Sequence, residues 1–86
     1  MEFTATFYTH FGASLFCRRT AESFSGVRPA PVPRCLSASC GVCAVFSAEN
    51  APQVTELVRT LAEDCEIEAL YGLTEEKDYV QLLRFA

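Results

Sequence analysis

Apolar and polar residues alternate from Glu2 to Tyr8, so that Phe3, Ala5 and Phe7 would lie on one face of a strand and the threonines between them on the other. Similar patterns recur further along the chain. The segments predicted to be extended are, in chain order, Glu2 to Tyr8, Val27 to Val32, Gly41 to Ser47 and Glu66 to Leu73. The second of these contains Pro29 and Pro31, which cannot donate ladder hydrogen bonds, so it is predicted to be an edge strand or an extended connector.

Two segments instead have apolar residues at helical spacing. The first runs from an N-cap at Thr9 to about Phe24, and the second covers Glu49 to Asp64. Asn50 and Gln53 have the spacing of a capping box at the start of the second helix. The residues predicted to form most of the core are Phe3, Phe7, Phe16, Phe24, Val45, Phe46, Val54, Leu57, Leu61 and Ile67.

The order β-α-β-β-α-β predicts one α+β domain over residues 1–86, with a ferredoxin-like arrangement of two helices on one face of a four-stranded antiparallel sheet. The remaining segment, 79–85, is apolar enough to pack against this unit. Its pattern fits either a helix or an added strand.

The amino-acid composition and the distribution of charge exclude several classes of function. Of the 86 residues, half are hydrophobic, which indicates a globular chain, and no apolar run approaches the ~18–20 residues that cross a bilayer. The start of the chain lacks the features of a signal peptide, so a soluble, cytoplasmic protein is expected. The first 48 residues carry four arginines and two glutamates, whereas the remainder carries nine acidic and three basic residues. Four dispersed arginines do not indicate a nucleic-acid surface, and no membrane partner is expected.

Five cysteines without a secretion signal indicate free thiols rather than a disulfide framework. Three of them lie in or just after a proline-rich loop, and Cys40 and Cys43 form a Cys-x-x-Cys pair. Arg34 precedes this pair, and positive surroundings favour the reactive thiolate. Backbone amides around Ser39 and Gly41 could form a small anion-binding nest. Cys43 could equally point into the core as a small hydrophobic residue.

Other readings of the cysteines remain open. Cys35, Cys40 and Cys43, with Cys65 downstream, have the spacing of a plant-type iron–sulfur site. The first three could also bind zinc if His10 approached the loop. Against both, Cys65 and Cys17 lie on helical apolar stripes and are predicted to be buried, and His10 is expected to hydrogen-bond backbone at a helix start. We therefore expect no metal and no cofactor. A third reading is a structural interaction domain whose cysteines are incidental.

The run Pro31-Val32-Pro33-Arg34, followed by Leu36-Ser37 and Ser39-Cys40-Gly41, resembles the signature of a small bacterial family of selenium/sulfur carrier protein-like domains. The resemblance covers nearly the whole chain. It implies that Cys40 is the carrier thiol and that Cys43 is a second thiol present in some members. It gives Cys35 no role.

Together these observations predict a non-enzymatic carrier that presents Cys40, with Cys43, for persulfide or selenosulfide transfer or for thiol–disulfide exchange. Arg34, Ser39 and Gly41 are predicted to stabilise the sulfur anion. The expected partners are a donor protein, such as a cysteine desulfurase, and an acceptor protein.

Overall fold

A computed structural model describes residues 1–85, which form five strands and two helices. In chain order these are β1 (Glu2–Phe7), α1 (His10–Thr20), β2 (Ser25–Pro31), β3 (Val42–Ser47), α2 (Ala51–Leu61), β4 (Ile67–Leu73) and β5 (Tyr79–Arg84). Each helix has 11 residues, and within this part of the chain neither could span a bilayer.

All five strands belong to one antiparallel sheet with the order β2-β3-β1-β4-β5. The protein is therefore α+β, but the prediction of a four-stranded, ferredoxin-like β-α-β-β-α-β arrangement is wrong. The fifth strand extends the sheet beyond β4, and the order of elements is β-α-β-β-α-β-β.

The fifth strand is set by the hairpin that precedes it. Lys77 adopts a left-handed conformation (φ 69°), and the backbone N–H of Thr74 donates to the Asp78 carbonyl at 2.9 Å. This turn returns the chain antiparallel to β4, where Leu83 pairs with Leu70 and joins the core. Burial of an apolar side chain of this size stabilises the fold by about 1.5–3 kcal/mol.

The capping residues of both helices lie where the sequence predicts, although α2 covers Ala51–Leu61 rather than Glu49 to Asp64. The Thr9 side chain accepts from the N–H of Gly12, and the Asn50 side chain accepts from the N–H of Gln53, so each cap satisfies a free donor of the first turn. The first helix ends earlier than expected, at Thr20 rather than near Phe24. Phe24 still packs inward, because its ring stacks on that of Phe46 with centroids 4.5 Å apart.

The core lies between the helices and one face of the sheet, and Phe46 is its centre. The rings of Phe3 and Phe16 pack against it with centroids 5.6 and 5.7 Å away. Val45 is predicted to be a core residue but points to the opposite face, because it pairs with Thr4 rather than with Phe3. On α2 the buried positions are Val54 and Val58, whereas Leu57 and Leu61 are only half-buried, so the buried stripe is rotated from the predicted one.

The β2 edge of the sheet is poorly suited to pairing with a further strand. The N–H of Val32 donates across to the Gly41 carbonyl of the neighbouring segment. Because successive residues of a strand alternate in direction, the nitrogens of Pro29 and Pro31 point away from β3. Proline has no N–H, so these outward positions offer no donor to another strand.

The start of α1 is fixed against the segment between α2 and β4. A Cβ on Gly12 would overlap the carbonyl oxygen of Cys65, so only glycine permits this approach. The N–H of Tyr8 donates to the Glu66 carbonyl at 2.9 Å. These contacts determine where His10 lies.

Candidate functional site

The candidate site is the loop of residues 32–41, which joins β2 to β3. Its base is closed by the hydrogen bond from the Val32 N–H to the Gly41 carbonyl (3.1 Å), and the N–H of Leu36 donates to the Pro33 carbonyl at 3.0 Å. Gly41 has φ 76°, a left-handed conformation that favours glycine. The prolines and Gly41 thus shape a loop whose second half returns toward the sheet.

That second half is attached to β4 through Ser39. Both the backbone N–H and the hydroxyl of Ser39 donate to the Glu68 carboxylate, at 3.1 and 3.0 Å. Glu68 lies where the register between β1 and β4 shifts, since Thr6 pairs with Ala69 and Phe7 with Ile67. The residue is only 9% exposed. A nearly buried carboxylate that accepts two such bonds holds the loop firmly, because bonds to ionised groups are the stronger ones.

The next residue, Cys40, is held from the other side by His10. The Nε2 atom of His10 lies 2.8 Å from the Cys40 carbonyl oxygen. A carbonyl only accepts, so Nε2 must carry the proton in this contact. His10 is the first residue of α1, as the sequence predicts, and its backbone partner is in the cysteine loop.

The Cys40 thiol itself is half-buried, and its Sγ donates to the Val42 carbonyl at 3.4 Å. The N–H groups of Cys40 and Gly41 find no acceptor within residues 1–85. The residue that carries the thiol and the residue after it thus each have an unpaired backbone donor, and such donors can stabilise negative charge. Ser39 is different, because both of its donors are occupied by Glu68.

Cys43 follows on β3 and is fully buried. It lies on the sheet face opposite the helices, in register with Thr6 and Ala30, and its Sγ donates to the Pro31 carbonyl at 3.6 Å. Burial raises the pKa of the Cys43 thiol, and the nearby Cys40 and Cys17 thiols raise it further. Across from it, the buried Thr6 hydroxyl has no hydrogen-bond partner among the described residues.

The loop extends over this same face toward the start of β5. Cys35 and Leu36 line a cavity of about 390 Å³ together with Lys77, Asp78 and Tyr79. Burial raises the pKa of the Tyr79 phenol, the charges of Cys35, Glu2 and Cys43 add to the increase, and a hydrogen bond with Thr4 opposes it. The exposed Cys35 is therefore near Tyr79, whereas Cys40 is near His10.

The other predicted residues are more dispersed. Arg34 is exposed and makes no hydrogen bond or ion pair with any of residues 1–85. Cys65 is buried as predicted, but Cys17 is only half-buried. Burial raises the pKa of both thiols. In the part of the chain that the structure describes, no three His, Cys, Asp or Glu side chains form a group that could hold a metal ion.

The sequence predicts a backbone hydrogen bond for His10 but not its partner, and it assigns no role to Glu68. A glutamate inside a mainly apolar strand is nevertheless a signal for a buried partner. The proximity of Tyr79 to Cys35 has no local signal, because it depends on the fifth strand. Comparison of the chain with models of protein families, with curated proteins and with solved structures gave no match.

Proposed function

We propose that this protein is a carrier of sulfur or selenium that takes its cargo on the Sγ atom of Cys40. The proposal rests on the contacts that neighbouring residues make with the Cys40 segment. Its backbone is fixed by His10 and, through Ser39, by Glu68, while its thiol is half-buried and the N–H groups of Cys40 and Gly41 have no acceptor within residues 1–85. A carrier needs a thiol that is held in place yet can be approached. The resemblance of the loop to selenium/sulfur carrier protein-like domains supports the same reading.

Loading is a transfer between thiols. The Cys40 thiolate attacks the outer sulfur of a persulfide on the donor protein, the sulfur–sulfur bond of the donor breaks, and the donor leaves as a thiolate. Cys40 then carries the persulfide. In this proposal the unpaired N–H groups of Cys40 and Gly41 stabilise negative charge on the cargo.

Unloading can follow two routes. A thiolate of the acceptor protein can attack the outer sulfur, which regenerates the Cys40 thiolate. Alternatively, the Cys43 thiolate attacks Sγ of Cys40, which forms a Cys40–Cys43 disulfide and releases the outer sulfur as hydrosulfide, and a dithiol reductant later restores both thiols. Burial and the raised pKa disfavour the Cys43 thiolate in this conformation, so the second route requires the loop to open.

In this proposal the protein is a carrier rather than an enzyme. Its donor is a protein that bears a persulfide, such as a cysteine desulfurase, and its acceptor is a protein that offers a free thiol. A reducing cytoplasm is the compartment that suits it, because five thiols remain free there.

The experiment is an intact mass spectrum after incubation with a cysteine desulfurase and cysteine. The unmodified chain should gain the mass of one sulfur atom, and the gain should disappear on treatment with a dithiol reductant. Cys40→Ser should fold normally and gain nothing.

Matched variants locate the cargo. Cys35→Ser and Cys17→Ser should load like the unmodified chain, since neither thiol is held by His10 and Glu68. Cys43→Ser should load normally and release hydrosulfide more slowly. Equal loading of Cys40→Ser and the unmodified chain would end the carrier proposal.

A further inference from the structure

Two exposed aromatic residues, Tyr8 and Phe11, lie before and after His10 in the sequence. Tyr8 is 40% exposed and Phe11 is 65% exposed. Aromatic side chains are enriched at protein–protein interfaces relative to the rest of the surface. Tyr8 also forms one wall of a groove of about 400 Å³, here called the Tyr8 groove, which is lined by Tyr8, Ala62, Glu63, Glu66, Ile67 and Phe85.

The Tyr8 groove is connected to Cys40 by two short routes. On one side, Tyr8 is two residues before His10, whose Nε2 donates to the Cys40 carbonyl. On the other side, the N–H of Phe85 donates to the Glu68 carbonyl, and the Glu68 side chain accepts from Ser39. The Tyr8 hydroxyl donates to the Phe85 carbonyl at 2.7 Å, which ties the two walls together. The walls of the groove are therefore connected to His10 and Glu68, the two residues that hold the Cys40 loop.

The charged side chains that line the groove indicate what kind of partner can bind there. Its only charged lining groups in the described chain are the carboxylates of Glu63 and Glu66. Glu66 accepts a hydrogen bond from the Thr9 hydroxyl, while the Glu63 side chain makes no hydrogen bond or ion pair within residues 1–85. The neighbouring Asp64 is paired with Arg19 at 3.1 Å. Neither Glu63 nor Glu66 is paired with a cation within residues 1–85, so the groove carries negative charge, and Glu63 is the carboxylate that also makes no hydrogen bond there.

We infer that the Tyr8 groove is the docking site for the protein that exchanges sulfur or selenium with Cys40, and that this partner inserts an apolar segment bearing lysine or arginine. The inference rests on the proposed function. Its apolar part is recognised by Tyr8 and Phe85, and its positive charge by Glu63. A small groove with few charges suits a brief encounter, which transfer between two proteins requires.

The test uses the full chain, labelled with ¹⁵N, and a short peptide of alternating leucine and lysine as the probe. Amide signals of Tyr8, Glu63 and Phe85 should shift on addition of this peptide. A matched peptide of alternating leucine and glutamate should leave them in place. Glu63→Lys should weaken binding of the leucine–lysine peptide about tenfold, because it replaces attraction with repulsion.

Glu56→Lys is the matched control, since it makes the same change of charge at an exposed α2 position outside the groove. It should bind the peptide like the unmodified chain. Equal weakening by both variants, or shifts away from the groove, would overturn the inference.

Loading of the same samples with inorganic polysulfide, which needs no protein partner, separates the two proposals. A chain that is loaded but shows no peptide shifts overturns the docking role alone. A chain that binds the peptide but cannot be loaded overturns the carrier function and with it the docking role.

Discussion

Cys40 is held by residues that are distant in sequence. His10 and Glu68 lie 30 residues before it and 28 residues after it, and they reach the loop from α1 and β4. The sequence pattern identifies the loop and its Cys-x-x-Cys pair, because prolines, small residues and thiols are local signals. It does not identify these two partners, because a polar side chain carries no sign of which distant backbone it will meet. The same limit explains why Ser39, predicted to stabilise an anion, instead has its donors taken by Glu68.

The Ser39–Glu68 contact should control the order of the loop. Replacing Glu68 by Gln removes the charge that strengthens both bonds, and loss of bonds to a charged acceptor costs about 1.5–3 kcal/mol. We expect lower stability to urea and faster hydrogen exchange at the Ser39 amide. Ser39→Ala loses only the hydroxyl bond and should have a smaller effect. Unchanged exchange at residue 39 in Glu68→Gln would show that the carboxylate does not restrain the loop.

At the scale of elements, the sequence predicts the helix starts well and the last strand poorly. Thr9 and Asn50 are capping residues by type and position, so their role is local and visible in the sequence. The final segment has apolar residues at successive positions 82 and 83, because a register shift in β5 interrupts the alternation. That shift depends on pairing with β4, so the pattern alone favours neither helix nor strand.

The junction between α1 and the α2–β4 segment should be intolerant of any side chain at position 12. Gly12→Ala would force a methyl group into the Cys65 carbonyl and is expected to cost about 3 kcal/mol, measured by urea denaturation. Ser14→Ala, at an exposed position on the same helix, should be neutral or slightly stabilising.

Gly41→Ala provides a second comparison for Gly12→Ala. A Cβ at position 41 meets nothing within 4 Å, so only its left-handed backbone is strained, at about 1–2 kcal/mol. If the two glycine variants were equally stable, the close approach of α1 to Cys65 would be wrong.

The fifth strand should contribute to the core through one of two adjacent leucines. Leu83 is 9% exposed and packs with Leu70, whereas Leu82 is 36% exposed. Leu83→Ala is expected to lower the unfolding free energy by about 2–3 kcal/mol, and Leu82→Ala by less than about 1 kcal/mol. Thermal or urea denaturation measures both. The opposite ranking would place β5 in a different register.

For the whole molecule, the free energy of unfolding should depend on pH in the alkaline range, because of the buried Cys43 thiol and the half-buried Tyr79 phenol. The Cys43 thiol and the Tyr79 phenol are uncharged when protonated, and burial raises the pKa of each above the ordinary values of 9.0 and 10.0. The folded state therefore keeps these protons to higher pH than the unfolded chain does. Their contribution is complete below the ordinary values and is lost as pH rises above them.

We accordingly expect the urea midpoint to be steady near neutral pH and to fall above about pH 9. In Cys43→Ala the urea midpoint should fall less over this pH range, because the variant removes one of the two groups whose pKa is raised in the folded state. Ser37→Ala, an exposed loop change without a titrating group, should retain the full fall. A midpoint that rises between pH 9 and pH 11 would contradict the linkage.

The prolines of β2 affect how the protein can associate with itself at high concentration. A fibril grows by adding one sheet to the next without end, so every subunit must offer two receptive borders. Here one border lacks outward donors at Pro29 and Pro31, while the other, at β5, contains no proline. Repeated border-to-border addition is therefore disfavoured, because the β2 border cannot donate to a neighbouring subunit at positions 29 and 31.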